Sequence, residues 1–228
     1  MKIIFLNTWN AKEREAITAF ILEHRESTEV FCFQEAYEEM RLLAKEILPD
    51  YEETYGYKWV SETDDFPQAT YVRKDLEQIV SHPFLEEWSN TGLAIYTHLR
   101  KNGQEIHLAN FHGTARPGEK LDNPGRLKQS EELIRFFKDK EGLKIIGGDF
   151  NVLPDTESMQ MFEKHGYRDL IKDFGIKSTR NELSWARYPD NKQYFSDYAF
   201  MSPNVNVQSF EVPDIEISDH LPLILEIG

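Results

Sequence analysis

The sequence predicts an α/β fold, and three observations carry that prediction. The chain opens as strand, helix, strand, helix: the apolar runs Lys2–Leu6 and Val30–Gln34 alternate with Lys12–Arg25 and Glu38–Leu48. The two helical segments repeat apolar residues at helical spacing, Ala16, Ile17, Phe20 and Ile21 in the first and Met40, Leu43, Ala44 and Ile47 in the second. That alternation predicts parallel pairing with a right-handed crossover. Beyond Tyr51 the texture changes to short strands joined by turns. Later, the helical pattern of Pro124–Lys138 leads back into the apolar strand Lys144–Gly147.

In order, Lys2–Leu6 ends in Asn7-Thr8-Trp9-Asn10, and Pro49 stops the second helix. Tyr51–Val60, Ala69–Val72, Gln78–Ser81, Leu93–His98 and Glu105–Phe111 read as strands, with Lys101-Asn102-Gly103-Gln104 as a hairpin turn. Pro124 stands near the start of its helix, where a missing N–H is tolerated. Residues 155–195 read as one short helix near Thr156–His165 and a long loop carrying Trp185 and Tyr188. Ser196–Met201, Val205–Val212 and Leu221–Glu226 are the last strands. With no repeat, low-complexity tract or linker, residues 1–228 are expected to form a single domain.

Composition bounds the function. The 228 residues are 40% hydrophobic and 13% aromatic, enough for a large core. No stretch approaches the roughly 18 to 20 apolar residues needed to span a bilayer, and MKIIFLNTWN lacks the form of a signal peptide. Cys32 stands alone, which excludes an internal disulfide; it reads as a small buried hydrophobe in a chain expected to be cytoplasmic. A formal charge of −14 argues against a broad basic face for duplex nucleic acid. The charge is uneven, however. Glu13–Asp65 holds 15 acidic and 5 basic residues, whereas Gly113–Ser130 and Gly175–Tyr194 each hold 4 basic and 2 acidic ones.

The stretch KIIGGDFNVLP, Lys144–Pro154, organises the rest. Gly147-Gly148 is expected to turn the backbone sharply and to clear space for a ligand. If the strand persists, Asp149 and Asn151 point to the same side. A carboxylate and a carboxamide suit a hard cation and a phosphoryl oxygen, although an Asx turn would use the same residues. Other polar residues also stand where strands end: Asn10, Glu35, His112, Asp197, Asp219 and His220. A carboxylate straight after Val-Phe-Cys-Phe-Gln is costly to bury without a partner, and a cation shared with other acids would offset that cost. His24, His82, His98, His107 and His165 have no such neighbours and read as structural or surface residues.

In series, Thr8-Trp9-Asn10, Phe33-Gln34-Glu35, Asn110-Phe111-His112, Gly148-Asp149-Phe150-Asn151, Ser196-Asp197-Tyr198 and Ser218-Asp219-His220-Leu221-Pro222 resemble the endonuclease/exonuclease/phosphatase superfamily. The resemblance runs in order from residue 2 to residue 226. It implies the DNase I-like fold, a four-layer sandwich of two packed mixed β-sheets flanked by helices, with the active site at one edge. It also implies metal-dependent hydrolysis of a phosphoester.

Carried over by position, the resemblance makes Glu35 the main Mg²⁺ ligand, with Asn10 beside it and Asp219 completing the site; Mn²⁺ is the expected substitute. Asp149 would activate or position the attacking water, Asn151 would hold a phosphoryl oxygen, and His220, oriented by Asp197, would contact the scissile phosphate or the water. His112 would sit on another phosphate oxygen. Arg116, Arg126, Arg180, Arg187 and Trp185 are candidate substrate-binding residues on the two basic stretches, with Lys120 and Tyr188 beside them.

Two departures narrow the substrate. Lys12 stands where some abasic-site endonucleases of the family carry an acid, and His112 stands where those enzymes carry tyrosine. The first reading is therefore a Mg²⁺-dependent phosphodiesterase or nuclease acting on short or single-stranded nucleic acid or a nucleotide, with no membrane and no obligate protein partner. The alternative is a phosphomonoesterase on a soluble nucleotide, sugar or inositol phosphate. A non-catalytic binding protein with the same fold is the third.

Overall fold

The structure is a computed structural model that describes residues 1–62, 64–87 and 91–228, with Asp64 described by its backbone alone. The chain runs β1 (Lys2–Asn7), a 3₁₀ turn (Trp9–Ala11), α1 (Arg14–His24), β2 (Val30–Gln34), α2 (Glu38–Ile47), β3 (Tyr51–Ser61) and β4 (Asp64–Arg73). It continues through β5 (Glu77–Phe84), β6 (Leu93–Lys101), β7 (Gln104–His112), α3 (Pro124–Phe137), β8 (Leu143–Asp149) and α4 (Glu157–Lys164). It closes with β9 (Arg168–Asp169), α5 (Leu170–Asp173), α6 (Glu182–Arg187), β10 (Asp197–Met201), β11 (Val207–Glu211) and β12 (Leu223–Ile227).

Among the described residues the strands form two six-stranded sheets, ordered β11-β12-β1-β2-β4-β3 and β5-β6-β7-β8-β10-β9. Both are mixed: β1 pairs with β2 and β7 with β8 in parallel, and neighbouring pairs such as β8 and β10 run antiparallel. The expected two-sheet sandwich flanked by helices is therefore the observed architecture. Strand alternation explains the layering. Ile3 and Phe5 of β1 join the core that also holds β7 and β8, whereas Ile4 and Leu6 pack under Ile17, Phe20 and Ile21 of α1 and Met40, Leu43 and Ile47 of α2. Leu133, Ile134 and Phe137 of α3 and Phe162 of α4 cover the second sheet. The α3 N-terminus is closed by Asn123, whose side chain accepts from Arg126 N, with Pro124 just behind it.

The expected hairpin joins β6 to β7, with Asn102 and Gly103 both at positive φ. Three short elements replace structure read as loop: β9, α5 and α6, the last carrying Trp185. Helices of four and six residues are too short to show helical periodicity in a sequence. Gly147 and Gly148 do not make a turn. Both lie inside β8, where a Cβ on Gly147 would come within 2.7 Å of the Phe5 ring on the other sheet. A Cβ on Gly148 would lie 2.1 Å from Phe111 O. The glycines let the sheets close up beneath Asp149.

Candidate active site

Strand pairing assembles the site before any side chain is considered. Asp149, the last residue of β8, is paired across the ladder with His112 on one side and Asp197 on the other. On the facing sheet, Asn7 ends β1 opposite Gln34, which places Glu35 one step beyond. The interior between these strand ends is polar: Gln34 Nε2 donates to Asn110 Oδ1 at 2.6 Å, and Asn110 Nδ2 reaches Ala69 O and Thr70 Oγ1. Above it opens a cavity of about 590 Å³ lined by Glu35, His112, Asp149, Asn151, Asp219 and His220. That volume is in the range of small-molecule sites.

Asp149 is the hub. Its Oδ1 accepts from Asn151 N at 2.9 Å and its Oδ2 from Asn7 Nδ2 at 3.0 Å. His220 Nε2 and His112 Nε2 lie 3.7 and 3.8 Å from Oδ2. Burial alone pushes this carboxyl upward, but His220, Lys120, His112 and Arg180 outweigh it and hold the group well below the usual carboxylate range. Asp149 is therefore a buried, ionised acceptor on the cavity wall. The Asx turn and the shared orientation both hold, yet Asn151 is not in a strand: its φ is 55°, and that turn swings its side chain to the cavity.

His220 donates Nδ1–H to Asp197, 3.0 Å from each carboxylate oxygen. Burial and the Arg180 guanidinium push the imidazole pKa down, while Asp197, Asp149 and Asp219 push it up; the carboxylates win and the net shift is upward. Lys120 is buried, and its Nζ donates to Asn151 Oδ1 at 2.6 Å. Burial lowers its ammonium to about 8 against the opposing pull of Asp149. Backbone strain gathers here as well. Trp9, Asn10, Glu35, Lys120 and Asn151, all with side chains on the cavity wall, have positive φ, each at a cost of order 1 kcal/mol or more.

The structure revises several expected placements. The neighbour of Glu35 is Asn7, whose Nδ2 donates to Glu35 Oε1 at 3.2 Å as well as to Asp149. Asn10 lines the cavity, but its Nδ2 donates to Glu39 at 2.6 Å, and its buried Oδ1 has no hydrogen-bond partner. Asp219 faces a guanidinium, with Oδ2 3.1 Å from Arg180 Nη2. Arg126 is fully buried and donates to the carbonyls of Thr114, Ala115, Pro117 and Leu121, so it fastens the loop and lies outside the cavity lining. Trp185 is also spent on its own loop, with Nε1 on Gln193 O and its ring against Tyr194. Arg116, Lys120, Arg180, Arg187 and Tyr188 do line the cavity. They are joined by Trp9, Tyr37 and Lys12, with Lys12 Nζ 4.2 Å from the Trp9 ring centroid.

Hard-cation ligands are present. Among the described residues Asp149, Asp197 and His220 bring ligand-type atoms within 4.8 Å of one another. Asp197 already accepts from His220 and from Ser196 Oγ, so a cation there would have to break the pair. Glu35 carries no ion pair among the described residues, and its half-buried side chain lines the same cavity as Asn10, whose Oδ1 has no hydrogen-bond partner. A carboxylate free of ion pairs, with an unpartnered amide oxygen on the same wall, fits an oxygen-seeking divalent ion.

The sequence matches the Endonuclease/Exonuclease/phosphatase family over residues 6–220. The chain belongs to that family. Similarity extends to a phospholipase C of Staphylococcus aureus, 28% identical over 167 residues, covering 66% of this chain and 50% of that one. The chain thus spans about half the length of the curated relative. An endonuclease/exonuclease/phosphatase structure from Bacteroides vulgatus superposes with a TM-score of 0.77 at 18% identity over 100% of this chain and 98% of the other. A mannosyl-6-phosphatase from Bacteroides thetaiotaomicron gives a TM-score of 0.75 at 18% identity, covering 100% and 99%. These two show a shared fold. Among the described residues, no helix is long and apolar enough to cross a membrane.

Proposed function

We propose that this family member hydrolyses phosphodiesters with one side chain set for a divalent ion and another set for the attacking water. The observation that carries the reading is the double hydrogen bond of Asn7 Nδ2, which ties Glu35 to Asp149 across the two sheets. Glu35 would hold Mg²⁺, or Mn²⁺ in its place, with the unpartnered side-chain oxygen of Asn10 on the same cavity wall. The bound ion would supply Lewis-acid polarisation of a phosphoryl oxygen.

The remaining roles belong to the chain itself. Asp149, kept ionised, accepts a hydrogen bond from the water and aims it. His220, held by Asp197, presents its ring to the reacting phosphate. Asn151 is fixed through Lys120 and through Gly113 O, which accepts from Asn151 Nδ2 at 3.0 Å; the Lys120 ammonium presents the positive charge to a phosphoryl oxygen. His112 lies on the opposite side of Asp149, its ring against Phe66 and its buried Nδ1 without a partner.

Charge supports an anionic substrate. Five cations line the cavity against three carboxylates, in a chain of net −14. Among the described residues Lys12, Arg116 and Arg187 form no ion pair with a carboxylate, and Arg187 lies over the Trp9 and Tyr188 rings at 5.6 and 5.3 Å. The phospholipase C similarity favours a diester over a monoester. The test is a Mg²⁺-supported panel: bis(p-nitrophenyl) phosphate, a dinucleotide, a phosphocholine lipid in micelles, long duplex DNA, and mannose 6-phosphate. Turnover of diesters well above the monoester is expected, with long duplex among the poorest. Preferential release of phosphate from mannose 6-phosphate would replace this reading with the monoesterase one.

A further inference from the structure

Arg180 is the most thoroughly built-in cation of the cavity wall. It is only 7% exposed. Nε and Nη2 donate to Ser184 Oγ at 3.1 and 2.7 Å, Nη2 to Asp219 Oδ2 at 3.1 Å, and Nη1 to His220 Nε2 at 2.5 Å. The backbone is anchored as well: Arg180 and His220 form an antiparallel bridge, and Leu221 N donates to Thr179 O at 2.9 Å. The chain thus pairs residues 179–180 with the segment that carries Asp219 and His220. A guanidinium does not deprotonate in proteins, so this positive charge is permanent.

We propose that Arg180 is a fixed cation in the position a second metal ion would need, so that the site takes one divalent ion and obtains its second positive centre from the chain. The inference rests on the reading of Glu35 as the ligand of a divalent ion. Two features carry it. Asp219 lines the cavity but is separate from Glu35 in its interactions, and its Oδ2 is already held by Arg180. A further divalent ion at Asp219 and His220 would meet a buried guanidinium that cannot lose its proton, and like charges repel strongly where water is scarce. The guanidinium also fits the chemistry. Nη1 reaches the ring nitrogen of His220 that faces the cavity, and it stands beside the place where charge grows on the phosphoryl oxygens. His220 is thus held from both sides, Nδ1 on Asp197 and Nε2 on Arg180.

The test counts ions. Calorimetric titration of the wild-type chain with Mn²⁺, repeated by electron paramagnetic resonance of free Mn²⁺, should give one ion per chain. Arg180→Ala should lower kcat by about 10² to 10³, the order lost with one charge-stabilising donor. Added guanidinium should restore part of that loss, while Arg180→Lys should keep one ion per chain and intermediate turnover. Two ions bound to the wild-type chain would overturn the role of Arg180 and leave the metal-dependent reading standing, as would wild-type turnover in Arg180→Ala. No ion bound at all would overturn both. Should Arg180→Ala fail to fold, the wild-type ion count and the Arg180→Lys titration decide the question alone.

Discussion

The His220 ring donates from Nδ1 to Asp197, equidistant at 3.0 Å from both carboxylate oxygens. That bond fixes the tautomer and leaves Nε2 toward the cavity. His220→Ala and Asp197→Asn should each reduce kcat by about 10² or more. Because the two act as a unit, the double variant should lose far less than the product of the single losses. Steady-state kinetics on one diester checks this, and additive losses would show that the pair does not act together.

Asn7 should matter although it touches no substrate. Asn7→Ala removes the donor shared by Glu35 and Asp149, so two carboxylates lose their common tether. Activity should fall by about 10 to 100-fold and more Mg²⁺ should be needed for half-maximal rate, the usual cost of losing a group that orients a metal ligand. A metal titration of the variant reads both effects.

Arg126 and Arg116 should separate scaffold from substrate contact. Arg126→Met abandons four buried carbonyls, which should cost about 3 kcal/mol and lower Tm by roughly 10 °C. Arg116→Ala, at an exposed position on the cavity rim, should leave Tm unchanged and raise KM about 10-fold, the value of one charge-assisted contact. Thermal melts and Michaelis curves on the same two variants decide it.

Lys120 should leave a mark on stability against pH. Its folded ammonium sits near 8, below the ordinary lysine value of 10.5. Between those values the unfolded chain holds more protons than the folded one, so stability attributable to this group rises with pH across that window. The charged form carries the cost of burial below about 8. Relative to Lys120→Met, the wild-type chain should gain up to about 3 kcal/mol between pH 7 and 10.5. Urea titrations of both proteins along that series measure it; parallel curves would show an unshifted lysine.

Much of this site was legible because strand ends are legible. Each of the runs ending at Gln34, His112 and Asp149 is a buried strand, and the polar residue that breaks it has to face something. Asn7 carried a signal that spacing alone obscured. It shares the parity of Ile3 and Phe5, which face the other sheet, whereas Asn10 lies beyond a 3₁₀ turn that no alternation rule can cross. The basic stretches were found, but not which cation turns inward. Arg126 and Arg116 sit ten residues apart in one basic segment, and only the folding of residues 113–121 around the guanidinium of Arg126 separates their fates. The same holds for Trp185 against Trp9: Trp185, in α6, is spent on the segment just after that helix, because Gln193 O lies within reach of its indole N–H.

The most direct measurement compares wild-type and Glu35→Gln chains for hydrolysis of bis(p-nitrophenyl) phosphate, with Mg²⁺ and with excess chelator. Glutamine keeps the shape of the side chain and its contact with Asn7 while removing the charge, so the fold should survive. Wild-type turnover should vanish in chelator and return with Mg²⁺ or Mn²⁺. Glu35→Gln should keep the wild-type melting curve and lose at least about 10² in kcat. Undiminished turnover in chelator, or a fully active Glu35→Gln chain, would contradict the account at its centre.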